Sequence, residues 1–449
     1  MSVRHLWRVL LVSGLSLVSW SALALPQIQH WTSQRGAEIY FAPIDGLPLL
    51  DVRVMLDAGT ARDGDRPGIA SLTAAMLDAG AGSMDADAIA RSMDSLGAQL
   101  VTGAGRDYTS ISLRTLTRQD ILTPALETAA LVLAKPVFAD ADFQRERQNV
   151  LLSLQQREES PGDIAGMRFF EQVYGSHPYA HPKEGYADSV SALTPEDLRR
   201  FHQRYFVARN ATVVMVGAIE RQQAEQIAEQ LVAALPEGQK PEPLPGVAAG
   251  TAGTDVREPF PSEQTHIFVG MPGLKVGDPD YFPLYVGNHI LGGSGLVSRI
   301  SHEVREKRGL SYSAYSYFYP LKVEGPFMMG LQTRNDQAEQ ALSVLRDTLA
   351  AFIADGPGAD ELKASKSNIT GGFVLRLDSN RKWLEQVSQI AFYQLPLNYL
   401  DVFTQKVEAV TLEQIKDAWK RRINPQSMRT VLVGGGARGA NGVTGSNAR

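Results

Sequence analysis

Short β-branched apolar runs alternate along this chain with longer segments of helical period, and the alternation occurs twice. Leu49 to Leu56 (LLDVRVML) reads as a strand, followed by a helix starting near Pro67, a second helix ending at Gly97 and a hairpin from Ala98 to Leu116. Further on, Thr265 to Met271 reads as a strand. It precedes a helix over Tyr281 to Leu291, another from Leu296 to Arg308 that stops at Gly309, and a hairpin from Leu310 to Thr333. Long helical stretches then follow in both places, Asp140 to Gln156 and Gln337 to Ile353.

The duplication is visible residue by residue. Val190 to Gly217 (VSALTPEDLRRFHQRYFVARNATVVMVG) aligns without a gap on Val407 to Gly434 (VEAVTLEQIKDAWKRRINPQSMRTVLVG), an offset of 217 residues (407 − 190). Each copy predicts a helix and then a buried strand. Thr194 and Thr411 are the expected N-caps, with Glu196 and Glu413 in the first turn where a carboxylate complements the helix dipole. The fold class that follows is α+β, two similar halves, each a largely antiparallel sheet packed with helices. The expected boundaries are 25–236 for the first half, a Pro- and Gly-rich linker over 237–258, 259–434 for the second half, and a tail over 435–449 too rich in Gly, Ala and Asn to form a core.

Composition narrows the function classes. The 449 residues exceed one ordinary domain, and 44% of them are hydrophobic, enough apolar content for two sizeable cores. A formal net charge of -5, with 44 Lys and Arg against 49 Asp and Glu, leaves no basic footprint for nucleic acid. There are no cysteines, which removes disulfides and thiolate metal sites. The first 24 residues read as an export signal: Arg4, His5 and Arg8, an apolar run from Val9 to Val18, and Ala22-Leu23-Ala24 before the cleavage point. A membrane anchor is the competing reading, against which the run is shorter than the roughly 20 residues a spanning helix needs. The expected location is the periplasm.

The residues 305–312, Arg305-Glu306-Lys307-Arg308-Gly309-Leu310-Ser311-Tyr312, follow Leu291-Gly292-Gly293-Ser294-Gly295 and Ser298-Arg299-Ile300 in the second half. Together with two α+β halves joined by a linker, this resembles the pitrilysin, insulinase and mitochondrial-processing-peptidase family. The resemblance implies that Arg305 and Tyr312 contact the peptide or the developing oxyanion. It also implies that a His-x-x-Glu-His zinc motif belongs on the helix after the first strand. Here that helix reads Arg66-Pro67-Gly68-Ile69-Ala70-Ser71-Leu72-Thr73-Ala74-Ala75-Met76-Leu77, placing Ser71, Ala74 and Ala75 where His, Glu and His stand in the family, and Ser153 where a third ligand is expected. Alanine has no donor atom and a neutral serine hydroxyl is a poor zinc ligand. Ile69, Leu72 and Met76 keep a core-facing stripe, which an unrelated amphipathic helix would have as well.

No replacement site is evident. His177 and His181 are four apart, but Pro178 and Pro182 disfavour a helix there, and His302-Glu303 has Glu306 at the closing position of the zinc motif. His30, His202, His266 and His289 are scattered and read as surface or structural. Gly292, Gly293 and Gly295 lack the Gly-Lys-Ser/Thr of a phosphate loop, whereas the family resemblance makes them candidates for a substrate-touching loop, shorter than the family's. Arg305 at a helix C-terminus and Tyr312 at the start of a strand also have purely structural explanations, and Tyr315, Tyr317 and Tyr319 could line a peptide groove or simply pack.

The resemblance thus implies a non-catalytic, substrate-binding subunit with no cofactor of its own, paired with a His-x-x-Glu-His subunit that carries the zinc. The partners expected are that subunit and a peptide. Two alternatives stay open: a peptide-binding or assembly protein of the same fold with no peptidase role, and an active metallopeptidase with unrecognised ligands.

Overall fold

The computed structural model describes residues 25–248 and 253–436. The expected export segment 1–24, residues 249–252 of the expected linker and residues 437–449 of the expected tail lie outside the described residues.

The strands of the first half are β1 (Gln29–Thr32), β2 (Glu38–Pro43), β3 (Leu49–Leu56), β4 (Gly80–Ala81), β5 (Met84–Asp85), β6 (Gln99–Ala104), β7 (Thr109–Leu116) and β8 (Ala211–Gly217). Six of them form one sheet in the order β1-β2-β8-β3-β7-β6, while β4 and β5 make a small ladder apart. The second half contributes β9 (Asp255–Glu258), β10 (Gln264–Leu274), β11 (Ala314–Phe318), β12 (Gly325–Arg334) and β13 (Arg429–Val433), ordered β11-β12-β10-β13-β9. The last four residues of the expected linker are therefore a strand of the second sheet.

The sequence repeat reappears as topology. β8 runs parallel to β2 and antiparallel to β3, and β13 runs parallel to β9 and antiparallel to β10. Val213 pairs with Val54 of β3, and Thr430, 217 residues further on (430 − 213), pairs with Val269 of β10. Thr194 and Thr411 cap their helices as the spacing predicts, each within a capping box closed by Asp197 or Gln414.

The run Thr212 to Val216 is continuously apolar rather than alternating because both faces of its sheet are covered. Val213 and Met215 enter the core of the first half, whereas Val214 and Val216 enter the core of the second. The covering element on that second face is the helix Asn380–Phe392, which lies across β2, β3 and β8. Reciprocally, helix Pro161–Tyr174 of the first half lies across β10 and β13. Gly270 makes room for it, since a side chain there would strike the Phe169 ring. Each half thus lends the equivalent helix to the other, and the halves are interlocked rather than strung on a linker.

Polar contacts between the halves reinforce the exchange. Asp107 accepts hydrogen bonds from the Tyr179 hydroxyl in the first half, and from the Tyr393 hydroxyl (2.8 Å) and the Lys322 backbone N–H (2.8 Å) in the second. The Lys322 ammonium reaches Asp57, which Arg62 also holds bidentately at 2.7 and 2.8 Å. Burial pushes the Asp107 carboxyl up, and its hydrogen bonds and Lys322 pull the other way.

Candidate functional site

The first-half helix expected to carry a metal spans Ile69–Met76. It starts after Gly68, whose φ of 98° is accessible to glycine, and a side chain there would strike the Glu184 backbone. Asp63 caps it in place of a local N-cap residue: its carboxylate accepts from the N–H groups of Gly68 (2.7 Å) and Ala70 (3.0 Å). Burial raises the Asp63 pKa well above the ordinary value, against the lowering effect of those two bonds. Ile69, Leu72 and Met76 are buried, as the stripe predicts.

The expected ligand positions offer nothing to zinc. Ser71 donates its hydroxyl to the Lys183 carbonyl at 2.6 Å, Ala74 is buried, and Ala75 is exposed. Ser153 is exposed on helix Asp140–Glu158, which packs against the Ile69–Met76 helix. These side chains do not fit the metal. Among the described residues, no group of three or more His, Asp or Glu is placed to hold one. His177 and His181 sit in turns and bond separately to the Pro245 and Pro182 carbonyls, at 3.0 and 2.9 Å. Burial holds both imidazoles below the usual histidine value. His302 is bonded to Glu306 at 2.7 Å. The purified mature chain is expected to carry no tightly bound zinc and no chelator-sensitive peptidase activity. Metal analysis giving one zinc per chain, with activity lost to chelation, contradicts this.

The second half departs from its predicted helices where the interesting residues lie. The expected helix from Tyr281 is α-helical over Tyr281–Asn288 and continues as a π-helical turn, His289–Gly293. The expected helix from Leu296 is instead a 3₁₀ turn (Gly295–Val297), a single α turn (Arg299–Ser301) and another π turn (His302–Glu306). π turns inside helices are rare and concentrate at functional sites. Arg305 belongs to the second of them. Tyr312 is not at a strand start but in a bend before β11, and it is 88% exposed. The Arg305 guanidinium lies 5.9 Å from the centre of its ring and 3.5 Å from its carbonyl oxygen. The Tyr312 phenol has no hydrogen-bond partner among the described residues.

A cleft of about 770 Å³ opens along β11, the edge strand of the second sheet, which begins two residues after Tyr312. All three candidate glycines line it, with Tyr315 and Tyr317, whose rings stack at 5.8 Å. The glycines differ in character. Gly292 is buried against Ser316 of β11, whose backbone a side chain would strike, whereas Gly293 and Gly295 are exposed and Gly295 has φ 64°. Tyr319 lies beyond the end of the strand. Two cleft residues gave no distinctive sequence signal. Asn288 is buried and exchanges two hydrogen bonds with Ser316, to its carbonyl (3.1 Å) and from its hydroxyl (2.7 Å). His289 bonds Ser365 (2.9 Å) and Asn368 (3.1 Å) of the helix Ala359–Gly371, and burial lowers its pKa.

Comparison with known proteins places this architecture. Residues 49–185 match the model of insulinase (peptidase family M16), and residues 192–369 match that of the peptidase M16 inactive domain. A crystal structure of a peptidase M16 inactive domain from Pseudomonas fluorescens superposes with a TM-score of 0.88 at 37% identity, covering 91% of this chain and 97% of that one. The chain belongs to peptidase family M16. Relatives include an uncharacterized zinc protease of Bacillus subtilis, 24% identical over 390 residues that span 86% of this chain and 94% of the relative. A protease from Helicobacter pylori shares the fold, with a TM-score of 0.83 at 20% identity over 91% of this chain and all (100%) of that one. The match of residues 192–369 to the family's inactive domain, together with the superposition on a solved inactive domain, makes this chain a non-catalytic member of the family. No helix among the described residues is long and apolar enough to cross a membrane.

Proposed function

We propose that this chain is the non-catalytic, substrate-binding subunit of a zinc metallopeptidase heterodimer in the periplasm, and that it supplies Arg305 and Tyr312 to the active site of a His-x-x-Glu-His partner. The observation that carries this reading is the state of Tyr312: a phenol 88% exposed, beside a guanidinium, with no hydrogen-bond partner among the described residues of its own chain. A tyrosine kept for packing would be covered. The periplasmic location rests on the basic, apolar and small-residue pattern of residues 4–24.

In this reading the first half keeps the M16 framework without its chemistry, and the second half faces the partner across an enclosed peptide. The guanidinium and the phenol point at the scissile carbonyl. Two donors aimed at the oxygen as charge develops on it stabilise the transition state more than the bound peptide. Zinc and the water-activating carboxylate belong to the partner.

Light scattering on the mature chain mixed with a His-x-x-Glu-His subunit from the same cell is expected to give a heterodimer. A strict monomer under those conditions contradicts the proposal.

A further inference from the structure

The cleft along β11 does not end with the strand. A second cavity of about 380 Å³ adjoins it, and Tyr281, Pro320 and Arg376 stand in the walls of both. The second cavity is apolar and aromatic, walled by Phe282, Leu395, Tyr399 and Phe403, with Lys406 at its margin. Arg376 and Lys406 are both exposed. Arg376 donates to the Tyr285 hydroxyl at 2.7 Å and lies 5.9 Å from the Phe403 ring centre, and the Lys406 ammonium lies 5.4 Å from that of Phe282. Neither cation has a carboxylate partner among the described residues. The one acid lining this cavity, Asp278, is taken by Arg422 at 2.7 Å. Two cations without a carboxylate, over aromatic walls, thus mark the mouth of an apolar pocket.

Position in the fold adds to this. The segment Tyr281–Gly293 follows β10 as the helix Ile69–Met76 follows β3, and β11 is the edge strand of its sheet as β6 is of the first. The helix Ala359–Gly371 stands to the second half as Asp140–Glu158 does to the first. The groove therefore lies where the first half has its degenerate metal face, but with polar side chains and space retained. Strand addition to β11 is obstructed in its middle, because the Ser316 carbonyl is already engaged by Asn288. Recognition at this edge falls to side chains.

Building on the substrate-binding reading above, we infer that this groove captures the C-terminal end of a peptide, its last, apolar side chain in the aromatic cavity and its free carboxylate on Arg376 and Lys406. The chemistry matches on both counts: a planar guanidinium and an ammonium suit a carboxylate, and an apolar cavity of this size suits one large side chain. β11, five residues long, spans about 17 Å, with Tyr312 two residues before it and Pro320, shared by both cavities, two residues after it. A peptide anchored here presents to Arg305 and Tyr312 a bond some five residues before its C-terminus, so the groove measures substrates from their carboxyl end.

Fluorescence anisotropy on the mature chain tests this with an N-terminally fluorescein-labelled octapeptide ending in Phe, as free acid and as C-terminal amide. The acid is expected to bind about 10- to 100-fold more tightly, the ratio that follows from removing one charge-assisted hydrogen bond. The double variant Arg376→Gln/Lys406→Gln, altered at exposed positions and checked for folding by circular dichroism, is expected to bind both forms alike. Equal affinity of acid and amide for the unaltered chain overturns carboxylate capture while leaving peptide binding standing. A preference that survives in the double variant overturns its location here, and no binding of either peptide overturns both this inference and the substrate-binding reading.

Discussion

Tyr312→Phe is expected to cut turnover of the reconstituted heterodimer by about 10²- to 10³-fold, the usual cost of losing one oxyanion donor. The substitution removes a single hydroxyl from a side chain that is 88% exposed, so neither folding nor assembly should change. Because the hydroxyl acts on charge that develops in the transition state, the loss falls on kcat rather than on KM. Arg305→Ala should add some loss of substrate affinity, since a guanidinium also holds the peptide before reaction. Steady-state kinetics on the reconstituted pair checks both. Full activity in the two variants would make the chain a scaffold and the Arg305–Tyr312 pair structural.

Asp107→Ala is expected to destabilise the chain by about 3–5 kcal/mol, at about 1–3 kcal/mol for each buried donor left without an acceptor. Asp107 is buried and satisfies three donors, of which the Lys322 N–H and the Tyr393 hydroxyl belong to the other half. Alanine strands all of them at the contact between halves. Urea titration should show a lower midpoint and, because the interlock is weakened, two transitions in place of one. A midpoint within experimental error of the unaltered chain would mean that the exchanged helices hold the halves together without this network.

What the sequence made legible, and what it hid, divides along a physical line. Local signals carried through: Thr194 and Thr411 cap helices because the capping pattern lies within four residues, and the 217-residue repeat places β8 and β13 in equivalent positions because the two segments must bury the same apolar runs. That Ser71, Ala74 and Ala75 offer no imidazole or carboxylate is a matter of residue type and needs no coordinates. Partners in space were hidden. Ile164, Ala165, Phe169 and Val173 announce that the helix Pro161–Tyr174 is buried, but not that it is buried on the sheet of the other half. Asp107 and Lys322 are 215 positions apart, beyond any pattern read along the chain. The π turn at His302–Glu306 escaped because one extra residue in a turn barely changes the apolar period over so short a helix. Nothing in the sequence sets Arg376 and Lys406 apart from other cations, and only the cavity beside them gives them a role.

The most direct test of the central claim is a mixing experiment. Peptidase activity is measured for this chain alone, for the His-x-x-Glu-His subunit alone, and for the two combined. The account predicts none from this chain and a large rise on combination, abolished by chelation and by loss of the zinc motif in the partner. Equal activity from the partner alone and from the mixture would contradict it.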